Sequence, residues 1–264
     1  MRYVVRCPPE RSPAIAPLQA ATIVVTRPVG SGASLARAAQ RLGAAVVHLP
    51  GLRLHGCADA PLRAARDCDT WVFTSPAAVR FACALGLRRP AARVQVAAVG
   101  AGTRAALARR GIAALAPDGR GDSESLLALP VLADMRDRRV ALFGAPGGRD
   151  AIAPVLRARG AVVDAVPVYQ RTPPRLTRRH FDAIAAARAP LLMLVSSGEA
   201  LANIVAALPA ATLRRLRRAA LVASSARIAA LARDHGFADV STADSALPRD
   251  LLAAAARRLA QMRT

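Results

Sequence analysis

Small hydroxyl residues and glycines recur in this chain at one kind of place, directly after a short apolar run and before a helix-like stretch. Ile23-Val24-Val25 leads to Thr26-Arg27-Pro28, and Trp71-Val72-Phe73 leads to Thr74-Ser75-Pro76. Val96-Ala97-Ala98-Val99 leads to Gly100-Ala101-Gly102-Thr103, and Val140-Ala141-Leu142-Phe143 to Gly144-Ala145-Pro146-Gly147-Gly148. Leu192-Met193-Leu194-Val195 ends in Ser196-Ser197-Gly198, and Leu221-Val222-Ala223 in Ser224-Ser225. A strand that stops at such residues before a helix is where an open α/β sheet takes its ligands. Unpaired backbone N–H groups and the positive end of the helix dipole gather there and favour anions. So many ends of this kind imply a large anionic ligand touched at many points.

Other chemistries are closed by composition. The chain has no lysine, which removes Schiff-base, pyridoxal-phosphate and P-loop chemistry. Cys7, Cys57, Cys68 and Cys83 show no Cys-x-x-Cys spacing, and His48, His55, His180 and His235 are equally scattered, so no metal site is expected. His48 reads as a hydrogen-bonded structural residue. The net charge of +21 is carried by arginine alone; with abundant alanine this reads as a coding bias more than a nucleic-acid signature. The arginines are dispersed, with Arg214-Arg215-Leu216-Arg217-Arg218 the densest cluster, which reads as a solvated helix face. Aromatics at 3% are too few to stack bases, so no nucleic-acid partner is expected.

These groups need elements to position them. The 264 residues suffice for two modest domains, and 53% hydrophobic content supplies their cores. No apolar run reaches the roughly 18–20 residues that span a bilayer. Residues 1–20 lack a signal-peptide apolar core and read as a disordered extension or an over-long start, so a cytoplasmic protein is expected. Strands are expected at 22–26, 45–49, near 94–99, 112–115, 140–143, 161–163, 191–195, 220–223 and near 239–241, with another beginning at Trp71. Helices alternate with them, from 33–42, closed by Gly43, to a final one at 249–261. Such alternation argues for parallel sheets, an α/β fold. Two segments break the rhythm, Leu52-Arg53-Leu54-His55 and Val166-Pro167-Val168-Tyr169-Gln170-Arg171-Thr172-Pro173-Pro174; both read as extended. The chain therefore reads as a discontinuous domain 1 (21–50 and 173–264), connector strands (51–56 and 164–172) and domain 2 (57–163). A two-stranded connector would act as a hinge, with the ligand in the cleft between domains.

In that order and spacing, Thr26-Arg27-Pro28, Phe73-Thr74-Ser75-Pro76 with Ala78-Val79, Val99-Gly100 with Gly102-Thr103, Asp122-Ser123-Glu124 with Leu126-Leu127, Gly147-Gly148-Arg149, Val168-Tyr169 with Arg171, and Ser196-Ser197-Gly198 resemble the uroporphyrinogen-III synthase family over about residues 22–258. The resemblance implies two α/β domains joined by a two-stranded ladder. It also implies a cofactor-independent hydro-lyase of haem biosynthesis. Hydroxymethylbilane, a linear tetrapyrrole, is closed to uroporphyrinogen III with inversion of the last ring and loss of water. The substrate's eight acetate and propionate carboxylates would suit the strand-end hydroxyls and helix N-termini. The resemblance further implies a monomer, with room for handover of the bilane from hydroxymethylbilane synthase, and no membrane partner.

By position, the resemblance makes Tyr169 the candidate general acid for loss of the hydroxyl; a tyrosine on a connector also serves to brace a hinge. It carries substrate binding onto Thr74, Ser75, Gly100, Thr103, Ser197, Gly198, Asn203, Ser224 and Ser225, each hydroxyl among them also suited to plain helix capping. Thr26 and Arg27 either touch ligand or cap the first helix. Ser123 with Glu124 and Ser125 reads better as a cap. One departure is Ala77, where many relatives carry a polar or basic residue; Arg80, one turn on, is the substitute within reach.

Three readings compete, one of them an arginine-rich nucleic-acid binder, which would show steep salt dependence. Gly100-Ala101-Gly102-Thr103-Arg104-Ala105 fits the G-x-G-x-x-A fingerprint of a dinucleotide-binding oxidoreductase, with Asp118 near the place of a ribose-binding acid. Against it, Ala116-Pro117-Asp118-Gly119 reads as a turn and no His or Lys proton-transfer partner follows. A non-catalytic hinged polyanion-binding protein shares the cleft and charge, and turnover separates it from an enzyme.

Overall fold

A computed structural model of the chain describes residues 17–118, 121–147 and 151–263. In chain order it runs β1 (Thr22–Val25), α1 (Ala33–Arg41), β2 (Ala45–His48), β3 (Arg53–Gly56), β4 (Thr70–Phe73), α2 (Pro76–Ala84), β5 (Gln95–Ala98), α3 (Ala101–Ala108) and α4 (Ser123–Leu127). It continues with β6 (Arg139–Gly144), α5 (Ile152–Ala158), β7 (Val162–Pro167), β8 (Tyr169–Thr172), α6 (Arg178–Ala186), β9 (Leu191–Val195) and α7 (Gly198–Ala207). The last elements are α8 (Ala210–Arg217), β10 (Ala220–Ala223), α9 (Ala226–Asp234), β11 (Val240–Thr242) and α10 (Pro248–Gln261).

The chain divides into two compact units. One comprises the described residues through Arg27, Gly32–Leu49 and those from Leu176 on; the other comprises Pro28–Ser31 and Pro50–Arg175. The first holds a five-stranded sheet in the order β11-β10-β9-β1-β2, every pairing parallel. Thr22 pairs with Ala45 on one side and Leu191 on the other, which brings the carboxyl ends of β1, β2 and β9 to one edge. β1, β9 and β10 are buried throughout, which explains their unbroken runs of Val, Leu, Ile and Met. The apolar faces of α1 and α10 cover one side, with Leu35, Leu251, Leu252 and Leu259 in the core. Helices α7, α8 and α9 cover the other, with Leu201, Ile204, Leu216 and Ile228.

The second unit holds a four-stranded parallel sheet, β5-β4-β6-β7, and the antiparallel pair β3–β8. Its core is built on aromatics: Phe73 and Phe143 stack with centroids 4.4 Å apart, and Trp71 meets Phe143 edge-on at 5.5 Å. The β3–β8 ladder pairs Arg53 with Thr172 and Gly56 with Tyr169, and His55 Nε2 lies 3.1 Å from Thr172 Oγ1 across it.

Three details differ from the sequence reading. Leu18 is fully buried in the first unit's core, and its N–H donates to the Leu42 carbonyl at 2.7 Å, so packing begins before residue 21; residues 1–16 lie outside the described residues. Residues 164–167 belong to β7, not to a connector, because Arg139–Gly144 and Val162–Pro167 pair along their whole length. β7 is an edge strand, so Pro167 breaks no interior ladder. The expected strand at 112–115 is a single bridge between Leu115 and Ala97.

Candidate functional site

In the second unit the expected residues lie at the carboxyl edge of the parallel sheet. Phe73 sits level with Ala98 and Phe143, so Thr74, Val99 and Gly144 are the next residues out. Thr74 is buried and its Oγ1 donates to the Phe143 carbonyl at 3.0 Å, while a Cβ on Gly144 would stand 2.7 Å from the same oxygen. Thr74 therefore ties β4 to β6, and its lone pairs are what remains for any ligand. Ser75 follows as N-cap of α2, with Pro76 at the first helical position, where a missing N–H costs nothing. Its Oγ accepts the Ala78 N–H at 3.1 Å and lies 3.1 Å from the Tyr169 hydroxyl.

Tyr169, the first residue of β8, is 7% exposed and stacks on Phe81 with ring centroids 5.4 Å apart. A buried phenol needs a partner, and Ser75 supplies it. The two site candidates are thus joined across 94 residues of sequence. Helix α3 starts at Gly100 with no side-chain cap, unlike α2. The side of Gly100 that a Cβ would occupy is filled by Gly121, whose Cα would be 2.7 Å away. That glycine is required by the chain's own backbone, whatever a ligand asks of it. Thr103 is buried in the first turn of α3. One turn after Ala77, the Arg80 guanidinium lies over the Phe81 ring, 4.8 Å from its centroid, and Nη1 donates to the Gly30 carbonyl at 3.3 Å. Arg171 Nη2 donates to the carbonyls of Pro146 and Gly147, at 3.3 and 2.9 Å. Gly148 and Arg149 lie outside the described residues.

The first unit repeats the arrangement. Ser197 caps α7, taking the Ala200 N–H at 3.2 Å, and Ser225 caps α9, taking the Ile228 N–H at 3.4 Å. Ser224 closes β10, its N–H donating to the Val195 carbonyl at 2.9 Å. Gly198 opens α7 where a Cβ would meet Leu231 Cδ2 at 2.9 Å, and Asn203 lies half-buried further along that helix. A capping serine still holds its own O–H, so capping a helix and donating to a carboxylate are compatible.

Thr26 and Arg27 do not cap α1, whose N-cap is Gly32 without a side-chain bond. Thr26 Oγ1 donates to the Leu194 carbonyl at 2.7 Å, which leaves only its lone pairs for a ligand. Arg27 is the exceptional group. Its Nη2 donates to the Ala246 carbonyl, its Nε is buried with no partner, and no carboxylate among the described residues pairs with it. Burial pushes its pKa below the ordinary arginine value. A partly desolvated cation with an unused buried donor calls for an anion. Ser123 is not the cap of α4; Asp122 is, accepting the Ser125 N–H at 2.8 Å.

Sequence reasoning passed over Arg227, at the second position of α9. Its Nη1 comes within 3.9 Å of the place a Cβ on Gly198 would take, so the sheet edge that carries Ser197 and Ser225 also carries a cation. The signal available was a basic residue two positions after Ser225, the strand-end hydroxyl.

The remaining titratable groups bring no rival centre. Among the described residues no group of three or more His, Cys, Asp or Glu is placed to hold a metal, and no helix is long and apolar enough to cross a membrane. Burial, reinforced by Asp164 at 3.7 Å, pushes the Cys68 thiol up to about 11. At pH 8 Cys68 is therefore expected to resist alkylation in the native protein while half-buried Cys57 and Cys83 react, a difference that unfolding abolishes. Peptide mass mapping after a timed iodoacetamide pulse checks this; equal labelling of the three would contradict the packing around Cys68.

A family model described as uroporphyrinogen-III synthase HemD matches residues 33–253. The uroporphyrinogen-III synthase of Escherichia coli (strain K12) is 32% identical over 241 residues, covering 85% of this chain and 96% of that protein. The enzyme of the same name from Salmonella typhimurium is 31% identical over the same shares. In fold, the chain resembles the crystal structure of uroporphyrinogen-III synthetase from Helicobacter pylori, with a TM-score of 0.61 at 12% identity over 92% of this chain and 99% of that one. It also resembles a mutant uroporphyrinogen III synthase from Thermus thermophilus, with a TM-score of 0.56 at 19% identity over 92% of this chain and all of that one. The dinucleotide and polyanion-carrier readings find no support among these relatives.

Proposed function

Because this chain belongs to the uroporphyrinogen-III synthase family, we propose that it closes hydroxymethylbilane to uroporphyrinogen III with inversion of ring D and loss of water. The observation that carries this reading is the family match over residues 33–253, with relatives alike over nearly their full length. The strand-end serines, the uncapped start of α3 and the unpaired Arg27 suit a substrate with eight carboxylates. The proton that assists departure of the bilane's hydroxyl comes from the Ser75–Tyr169 pair, and the pyrrole nitrogen supplies the electrons that stabilise the resulting azafulvene cation. The larger task is positional: holding ring D so that its substituted carbon attacks first, through a spiro intermediate. This chemistry asks for no cofactor. In this reading the protein works in the cytoplasm as a monomer and receives its substrate from hydroxymethylbilane synthase.

The test is the lifetime of freshly made hydroxymethylbilane with purified protein dialysed against a chelator. Consumption well above the spontaneous rate is expected; an unchanged lifetime would overturn the proposal. Ser197→Leu is expected to raise KM about tenfold by placing bulk at a carboxylate subsite and to cost about 1 kcal/mol through the lost α7 cap. Steady-state kinetics beside thermal melts check this; a stability loss with KM unchanged would make Ser197 a cap alone.

A further inference from the structure

Ser75 Oγ takes the Ala78 N–H at 3.1 Å, and among the described residues it is the hydrogen-bond partner of the Tyr169 hydroxyl, also at 3.1 Å. Tyr169 is buried, held against Phe81 and packed within the second unit's core. Ser75 is half-buried, at the carboxyl end of β4 and the start of α2. A serine oxygen has two lone pairs and one proton. If the Ala78 N–H and the Tyr169 O–H fill the lone pairs, the serine proton is left pointing onward, with no acceptor among the described residues. The outward donor of the pair is then the serine.

On the reading that the chain is a uroporphyrinogen-III synthase, we propose that Ser75, not Tyr169, hands the proton to the departing hydroxyl, and that Tyr169 is a positioning residue that orients Ser75 and replenishes it. The step balances. The Ser75 proton moves to the hydroxyl oxygen, the C–O bond breaks with its electron pair leaving on water, and the pyrrole nitrogen's lone pair fills the carbon. The Tyr169 proton moves to Ser75 Oγ, leaving a phenolate to balance the azafulvene cation. When the closed ring regains aromaticity it releases one proton, which returns through Ser75 to Tyr169. No outside acid is consumed.

The test is a double-mutant cycle on kcat. Glycine is a tolerable N-cap, so Ser75→Gly loses little at the helix start, and the Tyr169 phenol left without its partner lowers the melting temperature without preventing folding. Ser75→Gly is expected to lower kcat about 100-fold, the low end for general acid catalysis, and Tyr169→Phe about tenfold, both with KM little changed. The double variant is expected to match Ser75→Gly, and Ser75→Thr, which keeps the hydroxyl and the cap, to stay within about threefold of the parent. A merely structural pair would move KM and melting temperature and leave kcat alone. Tyr169→Phe losing more than Ser75→Gly, single losses that multiply in the double variant, or no recovery with threonine would overturn the proposal. These outcomes are read against the parent's own rate, so a parent that fails to consume the bilane overturns the functional reading instead.

Discussion

Arg27→Met is expected to raise KM for hydroxymethylbilane about 30-fold while leaving the melting temperature unchanged or higher. In the free protein Arg27 is half-buried, its Nε taken out of water without a partner and its Nη2 on one main-chain acceptor, the Ala246 carbonyl. Such a group costs folding free energy that a methionine of similar length does not. A substrate carboxylate reaching Arg27 would supply the missing partner, and removing one side of a buried charge pair costs about 2 kcal/mol or more in binding, roughly 30-fold. Opposite signs for affinity and stability mark a residue kept for its ligand. Steady-state kinetics and thermal unfolding on one preparation decide it. A lower melting temperature with KM unchanged would make Arg27 a strut between β1 and the loop before α10.

Phe143→Ala is expected to cost about 3–5 kcal/mol and to lower the melting temperature by roughly 10 °C. Phe143 is fully buried, stacked on Phe73 and touched edge-on by Trp71, and alanine would leave a cavity among rings that have no other filler. In a chain so poor in aromatics, three of the rings meet in this one cluster. The main-chain carbonyl of Phe143 still accepts the Thr74 hydroxyl in the variant, so loss of activity at permissive temperature should be smaller than loss of stability. Calorimetry tests it; a shift within about 1 °C would mean that the cluster does not hold the unit together.

The parallel strands were legible because both faces of β1, β9 and β10 are covered, which writes them as continuous apolar runs. Their terminal hydroxyls were legible for the same reason: the first polar residue after such a run must lie at the sheet's edge. The segment after α3 misled because Ile112-Ala113-Ala114-Leu115 carries strand-like residues, yet only Leu115 reaches a partner before Pro117 turns the chain. Pro167 misled in the opposite sense, since a proline is harmless in an edge strand and edge position is not written locally. What no local pattern carries is pairing at distance. The Ser75–Tyr169 contact spans 94 residues and the Arg27–Ala246 contact 219. The packing of Gly121 against Gly100 asks for a glycine there, a reason no local motif states. The family resemblance supplied names for the site residues; the hydrogen bonds add that Thr26 and Thr74 also tie neighbouring strands together, and that among the described residues Arg27 keeps a buried Nε without a partner.

Inversion of ring D is read directly from which tetrapyrrole isomer leaves the protein. Hydroxymethylbilane, freshly prepared, would be incubated with the purified chain without added cofactor, and the products oxidised and separated as type I and type III porphyrins. Unaided closure joins the free position of the last ring and gives type I, so the isomer reports the inversion itself. Type III in clear excess is expected. Type I alone, from folded protein at adequate concentration, would contradict it.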